Sequence, residues 1–199
     1  MVREGSPAKR AAIGRAALKV FLAEGYARAG VDAIAAEAGV SKRTVYDYYG
    51  GKEQLFLSTI AETRAGHEKG FEELLDETLD NPADLEDALF RFGQAFATAL
   101  SRSEERTAIV RLMIAEAGHF PDLLKDRPTR TALADRLAAL HERGLLDVPD
   151  PVEAAEFLGL LVTGPIQGRS WYGAVRVGQD EIDHLVRRGV RIFLSAYGK

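Results

Sequence analysis

Lys42, Arg43, Thr44, Tyr46, Asp47 and Tyr48, followed by Lys52, crowd cations, hydroxyls and one carboxylate into a single short stretch. The chemistry this set can perform is recognition of a nucleic acid. An arginine can bind guanine O6 and N7 in bidentate fashion, and an aspartate can accept from cytosine N4. Lysine, threonine and tyrosine commonly bond phosphate oxygens and fix register without reading sequence. A solvated Arg43–Asp47 surface pair, worth a few tenths of a kcal/mol, is the plainer alternative.

Those residues need a short rigid helix to present them. Ser41 is placed to cap a third helix over 42–49, and Val40 and Val45 sit at the positions of a hydrophobic staple. Val45 and Tyr49 are four apart and share the face assigned to the core, while Arg43 and Asp47 project oppositely. Thr44, Tyr46 and Tyr48 are expected to flank them. A second helix is predicted over 31–38, ended by Gly39, with Val31, Ile34, Ala35 and Ala38 inward. The first begins at Ser6-Pro7, is stopped by Gly25, and carries the apolar stripe Ile13, Ala17, Val20 and Phe21. Two short helices joined by a glycine-containing turn form a helix-turn-helix pattern, whose second helix leads into the major groove. Gly51 and Lys52 open a fourth helix whose free N–H groups suit a phosphate.

The remainder reads as helix as well. The fourth helix is predicted to run from 52 to about 77, and others over 83–101, 104–118, 122–143, 151–173 and 180–197. The fold class is all-α, about nine helices, divided into a three-helix head over 1–52 and a larger helical body over 53–199. No alternating β pattern and no hairpin signal occur.

Composition agrees with that division. Residues 1–52 carry a net charge of +4 and residues 53–199 a net of −8, so only the head is expected to meet a polyanion. The 199 residues include no cysteine, which excludes disulfides and thiolate metal sites. No secretory signal stands at the N-terminus, and the longest nearly apolar run, "FLGLLVTGPI" at 157–166, is too short to span a bilayer. A cytoplasmic protein without cofactor or membrane partner is expected.

Residues 6–56 closely resemble the DNA-binding head of TetR-family transcriptional regulators. The resemblance lies in the segment from Ile13 to Tyr26, in "IAAEAGVSKRTVYDYY" and in "GKEQLF". It implies an all-helical homodimer that represses transcription until a small molecule binds its C-terminal domain. It places Ser41, Lys42, Arg43, Thr44, Tyr46, Tyr48 and Lys52 where family members touch DNA. Two departures remove phosphate grips: Ala29 and Gly30 stand where the second helix usually has a capping Thr or Ser, and Gly51 precedes the fourth helix. "RLMIAEAGHFPDLL" (111–124) and the run around 151–173 resemble the AefR-like C-terminal domain.

In the body, apolar and aromatic residues with isolated polar ones point to a cavity for a small apolar ligand. Phe92, Phe96, Met113, Phe120 and Trp171 are candidate walls, and Gln167 a candidate polar contact. The last two helices are expected to form the dimer interface through Ile182, Leu185, Val186, Phe193 and Leu194, with Gly159, Gly164 and Gly168 allowing close approach. A different class competes. Glu116–His119 and Glu181–His184 are two Glu-x-x-His pairs, the spacing with which ferritin-like bundles hold a di-iron centre for oxidoreductase chemistry. A helical adaptor with neither function is the third reading. No nucleophile elbow, P-loop or dinucleotide motif is present.

Overall fold

Glycine and short polar caps set most of the helix ends. A computed structural model describes residues 6–124 and 128–199 of the chain. Among them are nine α-helices: α1 Pro7–Arg28, α2 Val31–Glu37, α3 Lys42–Tyr49, α4 Lys52–Leu79, α5 Leu85–Arg102, α6 Glu104–Glu116, α7 Pro128–Glu142, α8 Pro151–Ser170 and α9 Gln179–Tyr197. The all-α reading therefore holds. The helix expected over 122–143 is instead a 3-10 turn, Pro121–Leu124, followed by α7, and 125–127 lie outside the described residues.

Gly25 does not stop the first helix but kinks it, with φ 75° and ψ 168°, after which one more turn runs to Arg28. Any side chain there would be strained in that left-handed φ. The Ser6 side chain makes no capping bond, whereas its carbonyl accepts from the Lys9 and Arg10 N–H groups. Asp84 and Asp150 do cap α5 and α8, with Asp150 accepting from both Val152 and Glu153 at 3.0 Å.

The chain forms two compact units. The first runs through His67 and takes in the segment beginning at Ala108; the second holds Glu68–Thr107 and the residues from α7 onward. A cut at 52/53 falls in the first turn of α4, yet Leu55, Phe56 and Ile60 of α4 are buried in the head's core. Ile109, Leu112, Met113 and Phe120 join them. Both α4 and α6 thus contribute residues to each unit, which a division by sequence position cannot show.

In the first unit the core is aromatic at its centre. Phe56 meets Phe21, Tyr26 and Phe120 at ring separations of 5.0, 5.1 and 5.0 Å. In the second, α5, α8 and α9 close around Phe92, Leu158, Val162, Ile182, Val186 and Phe193, all fully buried. Glycine sets the helix separations there. A Cβ on Gly93 would lie 2.8 Å from a Val186 methyl, and one on Gly189 would lie 2.5 Å from the Leu161 carbonyl oxygen. By contrast, Gly159, Gly164 and Gly168 face open space within the chain.

Candidate nucleic-acid interface and body cavity

The α3 helix is fixed from beneath and behind. Val45 and Tyr49 are buried at 2% and 3% exposure. The Tyr49 hydroxyl donates to the Arg10 carbonyl at 3.0 Å, and the Arg10 guanidinium lies 4.4 Å from the Tyr49 ring centre. Arg10 also pairs with Glu62 of α4 and donates to the Tyr48 carbonyl, tying α1, α3 and α4 together. Burial and the Glu62 carboxylate push the Tyr49 phenol above its ordinary pKa, with Arg10 opposing them. Ser41 caps the helix, accepting from the Thr44 N–H at 3.1 Å, and its hydroxyl bonds that of Thr44 at 2.8 Å.

Arg43, Tyr46 and Asp47 form the outer face, all exposed, and none of their side chains is hydrogen-bonded or ion-paired within the described residues. Arg43 and Asp47 do not pair, although one helical turn separates them. Lys42 instead bonds Asp32 of α2 at 2.8 Å, and that hydrogen bond and charge raise its pKa. Lys52 donates to the Ala27 carbonyl at 3.1 Å and sits 4.6 Å from the Tyr26 ring centre, a cation–π contact that orients it at the start of α4. Tyr48 departs from the expected groove face. It is 9% exposed and packs in the head's core, because it lies three residues after Val45 and shares that residue's side of the helix.

The second unit contains a pocket of about 210 Å³ that is half-open to solvent. Phe71 of α4, Phe96 and Leu100 of α5 and Leu133 of α7 supply apolar walls; α8 supplies Ala155, Glu156, Gly159, Leu160, Thr163 and Gln167. Phe96 and Gln167, expected from the sequence, line it. Phe92 stands behind the wall, its ring 5.8 Å from that of Phe96. Three expected walls lie elsewhere. Met113 and Phe120 belong to the core of the first unit. Trp171 is 74% exposed, because α8 ends at Ser170 and both Trp171 and Tyr172 take positive φ. Phe71 and Thr163 were missed, although Phe71 carries the apolar face of α4 into the body.

A groove of about 350 Å³ runs between α8 and α9, lined among others by Leu161, Pro165, Leu185 and Ile192. Ile182, Val186 and Phe193, expected at a dimer interface, are fully buried within this one chain. The outward apolar residues are different ones, including Phe157 and Leu160 of α8 and Ile192 of α9.

The di-iron alternative fails on placement. Glu116 accepts from the Tyr26 backbone N–H, and Glu181 pairs with Arg169 at 3.0 Å. The two Glu-x-x-His pairs belong to different units, and among the described residues no group of three or more His, Cys, Asp or Glu could hold a metal ion. No helix among the described residues is long and apolar enough to cross a membrane.

The head is of the DNA-binding helix-turn-helix class. Residues 13–59 match the bacterial regulatory proteins of the tetR family, residues 87–199 match the AefR-like transcriptional repressor C-terminal domain, and the chain belongs to the TetR family. It is a DNA-binding regulator of transcription and not an enzyme. It is 29% identical over 167 residues to the HTH-type transcriptional repressor SCO4008 of Streptomyces coelicolor, covering 81% of this chain and 79% of that one. A putative TetR-family transcriptional regulator from Mesorhizobium loti superposes with a TM-score of 0.89 at 26% identity, over 99% of this chain and 100% of the other. The flavonoid-responsive regulator FrrA gives 0.76 at 31% identity, over 97% and 98%.

Proposed function

We propose that the chain is a cytoplasmic homodimeric repressor that binds an inverted-repeat operator and leaves it when a small apolar molecule enters the cavity of the second unit. The observation that carries the DNA reading is the outer face of α3, where Arg43 and Asp47 stay exposed and unpaired opposite buried Val45 and Tyr49. Unpaired donors and acceptors on a packed helix are what base edges require. Arg43 and Asp47 read bases; Ser41, Lys42, Thr44, Tyr46 and Lys52 grip the backbone. Tyr48 takes part through packing. DNA contact is assigned to residues 1–52, and ligand binding and dimerisation to 53–199.

One α3 helix touches few bases, so tight binding requires two heads on a two-fold site. The groove and exposed apolar residues of α8 and α9 supply the self-complementary surface. Phe71 in the cavity and Lys52 in the head lie on the same helix, α4, which offers a route for ligand occupancy to alter phosphate contact. A ligand acts only through different affinities for the DNA-competent and incompetent states, and the operator must weaken ligand binding by the same factor. The relative named as flavonoid-responsive supports response to a small molecule.

The test is calorimetric titration of a cavity ligand into the protein with and without its selected operator. Weaker ligand binding in the presence of operator is expected. Equal affinity in both, for a ligand blocked by filling the cavity, would show that the cavity is not coupled to DNA.

A further inference from the structure

We infer that the ligand site of the second unit is shared between subunits: α8 of a second copy of this chain closes its open side, so a small apolar molecule binds the dimer in preference to the monomer. This rests on the ligand-release and homodimer readings above and adds the partner that completes the site.

The pocket opens at Leu160. Of the lining residues Leu160 alone is exposed, at 54%, whereas Phe71, Leu133, Ala155 and Thr163 are buried. Sites for small molecules bury roughly 70–90% of the ligand's surface. A pocket that is half-open within one chain leaves an apolar ligand wet on that side.

Leu160 belongs to two stripes of α8 at once. Residues 156, 160, 163 and 167, spaced by four, three and four, line the pocket. Phe157, Leu160, Gly164 and Gly168, spaced by three, four and four, follow the outer face. On the far side of that face Leu161, Pro165 and Arg169 line the groove against α9. The outer face therefore lies between groove and pocket, and a subunit seated on both face and groove reaches the pocket's rim at Leu160.

That face is shaped for its own copy. Its N-terminal half carries bulk, with Phe157 at 44% and Leu160 at 54% exposure. Its C-terminal half carries Gly164 and Gly168, where a Cβ would meet nothing within 4 Å. Gly164 relieves crowding before Pro165, but no neighbour within the chain requires glycine at 168, and glycine weakens a helix. Two copies of α8 running antiparallel about a two-fold axis set Leu160 against the partner's Gly164 and Phe157 against the partner's Gly168, and the reverse. Parallel copies would set bulk on bulk. In the antiparallel pair the partner's Leu160 stands over Gly164, within one turn of Gln167 in the pocket lining, and supplies the missing wall.

The test uses the full-length protein and N-phenyl-1-naphthylamine, a neutral apolar dye that brightens out of water. Gly159→Leu fills the pocket and defines the part of the signal that belongs to it; a Cβ at Gly159 meets nothing within 4 Å. Ile192→Glu and Gly168→Leu each break the subunit contact from outside the pocket lining. Monomers of either variant, folded by circular dichroism, should bind the dye at least about tenfold more weakly than the wild-type dimer. By linkage, saturating dye should tighten wild-type dimerisation in sedimentation by about a hundredfold, tenfold for each protomer's site. Folded monomers that bind the dye as tightly as the dimer, with the signal blocked by Gly159→Leu, overturn the shared site but leave the pocket as the ligand site. Wild-type dimerisation unmoved by saturating dye, a wild type that stays monomeric, or variants that both stay dimeric also overturn it. Dye binding that is absent or unaffected by Gly159→Leu overturns the ligand-site reading itself.

Discussion

Glu116 Oε1 accepts a hydrogen bond from the Tyr26 backbone N–H at 3.0 Å, joining residues ninety apart in sequence. The bond secures the chain immediately after the Gly25 kink, where the backbone leaves helical φ/ψ. The same residue's ring packs against Phe56, His119 and Phe120 and receives the Lys52 ammonium. Removing the acceptor leaves a part-buried N–H unmatched. Glu116→Ala should destabilise the first unit by about 1–2 kcal/mol. Glu116→Gln keeps an acceptor and should recover most of that loss. Urea denaturation checks both, and equal loss in the two variants would show that charge, not the hydrogen bond, is responsible.

Arg43 and Lys52 should fail differently. Arg43→Ala is expected to relax base preference at one position of each half-site, costing about 1–3 kcal/mol there. Lys52→Ala should weaken all sequences alike and flatten the salt dependence. Competition binding against duplexes varied one position at a time separates the two. A change of base preference in the Lys52 variant alone would reverse their roles.

Dimerisation should respond to the outer face of α9 and not to its inner one. Ile192 is 52% exposed, so Ile192→Glu should give a folded monomer by sedimentation that loses operator affinity. Val186 is 0% exposed and packs beside Gly93, so Val186→Asp should unfold the second unit, at a cost of at least about 3 kcal/mol. Circular dichroism distinguishes the two outcomes. An Ile192→Glu dimer with full operator affinity would place the interface elsewhere.

Alkaline pH should loosen the head through Tyr49. Burial, then Glu62, raises its phenol above the ordinary value of 10.0, against Arg10. A raised folded-state pKa means that the unfolded chain ionises first. The contribution is therefore intact below pH 10 and is lost as pH rises through the folded value. Tyr49→Phe should cost about 0.5–1.5 kcal/mol at neutral pH, from the lost bond to Arg10, and should decline less steeply above pH 10. Parallel slopes for wild type and variant in chemical denaturation between neutral and strongly alkaline pH would remove Tyr49 from the account.

The head was legible in the sequence because its signals are local. Ser41 and Gly50 bound α3 so that it spans the expected 42–49, and the Val45–Tyr49 spacing identified its buried side. Tyr48 was misplaced because an i+3 neighbour shares a helix face as surely as an i+4 neighbour does. The cavity was only partly legible, for reasons that are not local. Met113 and Phe120 look like body residues by position, yet α6 passes out of the second unit and its later residues complete the head's core. Trp171 looked like a wall because nothing in its neighbourhood announces the end of α8 at Ser170. Which apolar residues of α9 face inward depends on Gly93 and Gly189 admitting close neighbours, a matter of packing that periodicity does not carry.

Selection of duplexes from a random pool by the purified full-length protein, followed by sequencing, tests the central claim most directly. The account predicts enrichment of an inverted repeat whose half-sites are one helical turn or a multiple apart, with Arg43→Ala blurring the same position in both halves. No enrichment over the starting pool, or a site without two-fold symmetry bound at full affinity by a monomer, would contradict it.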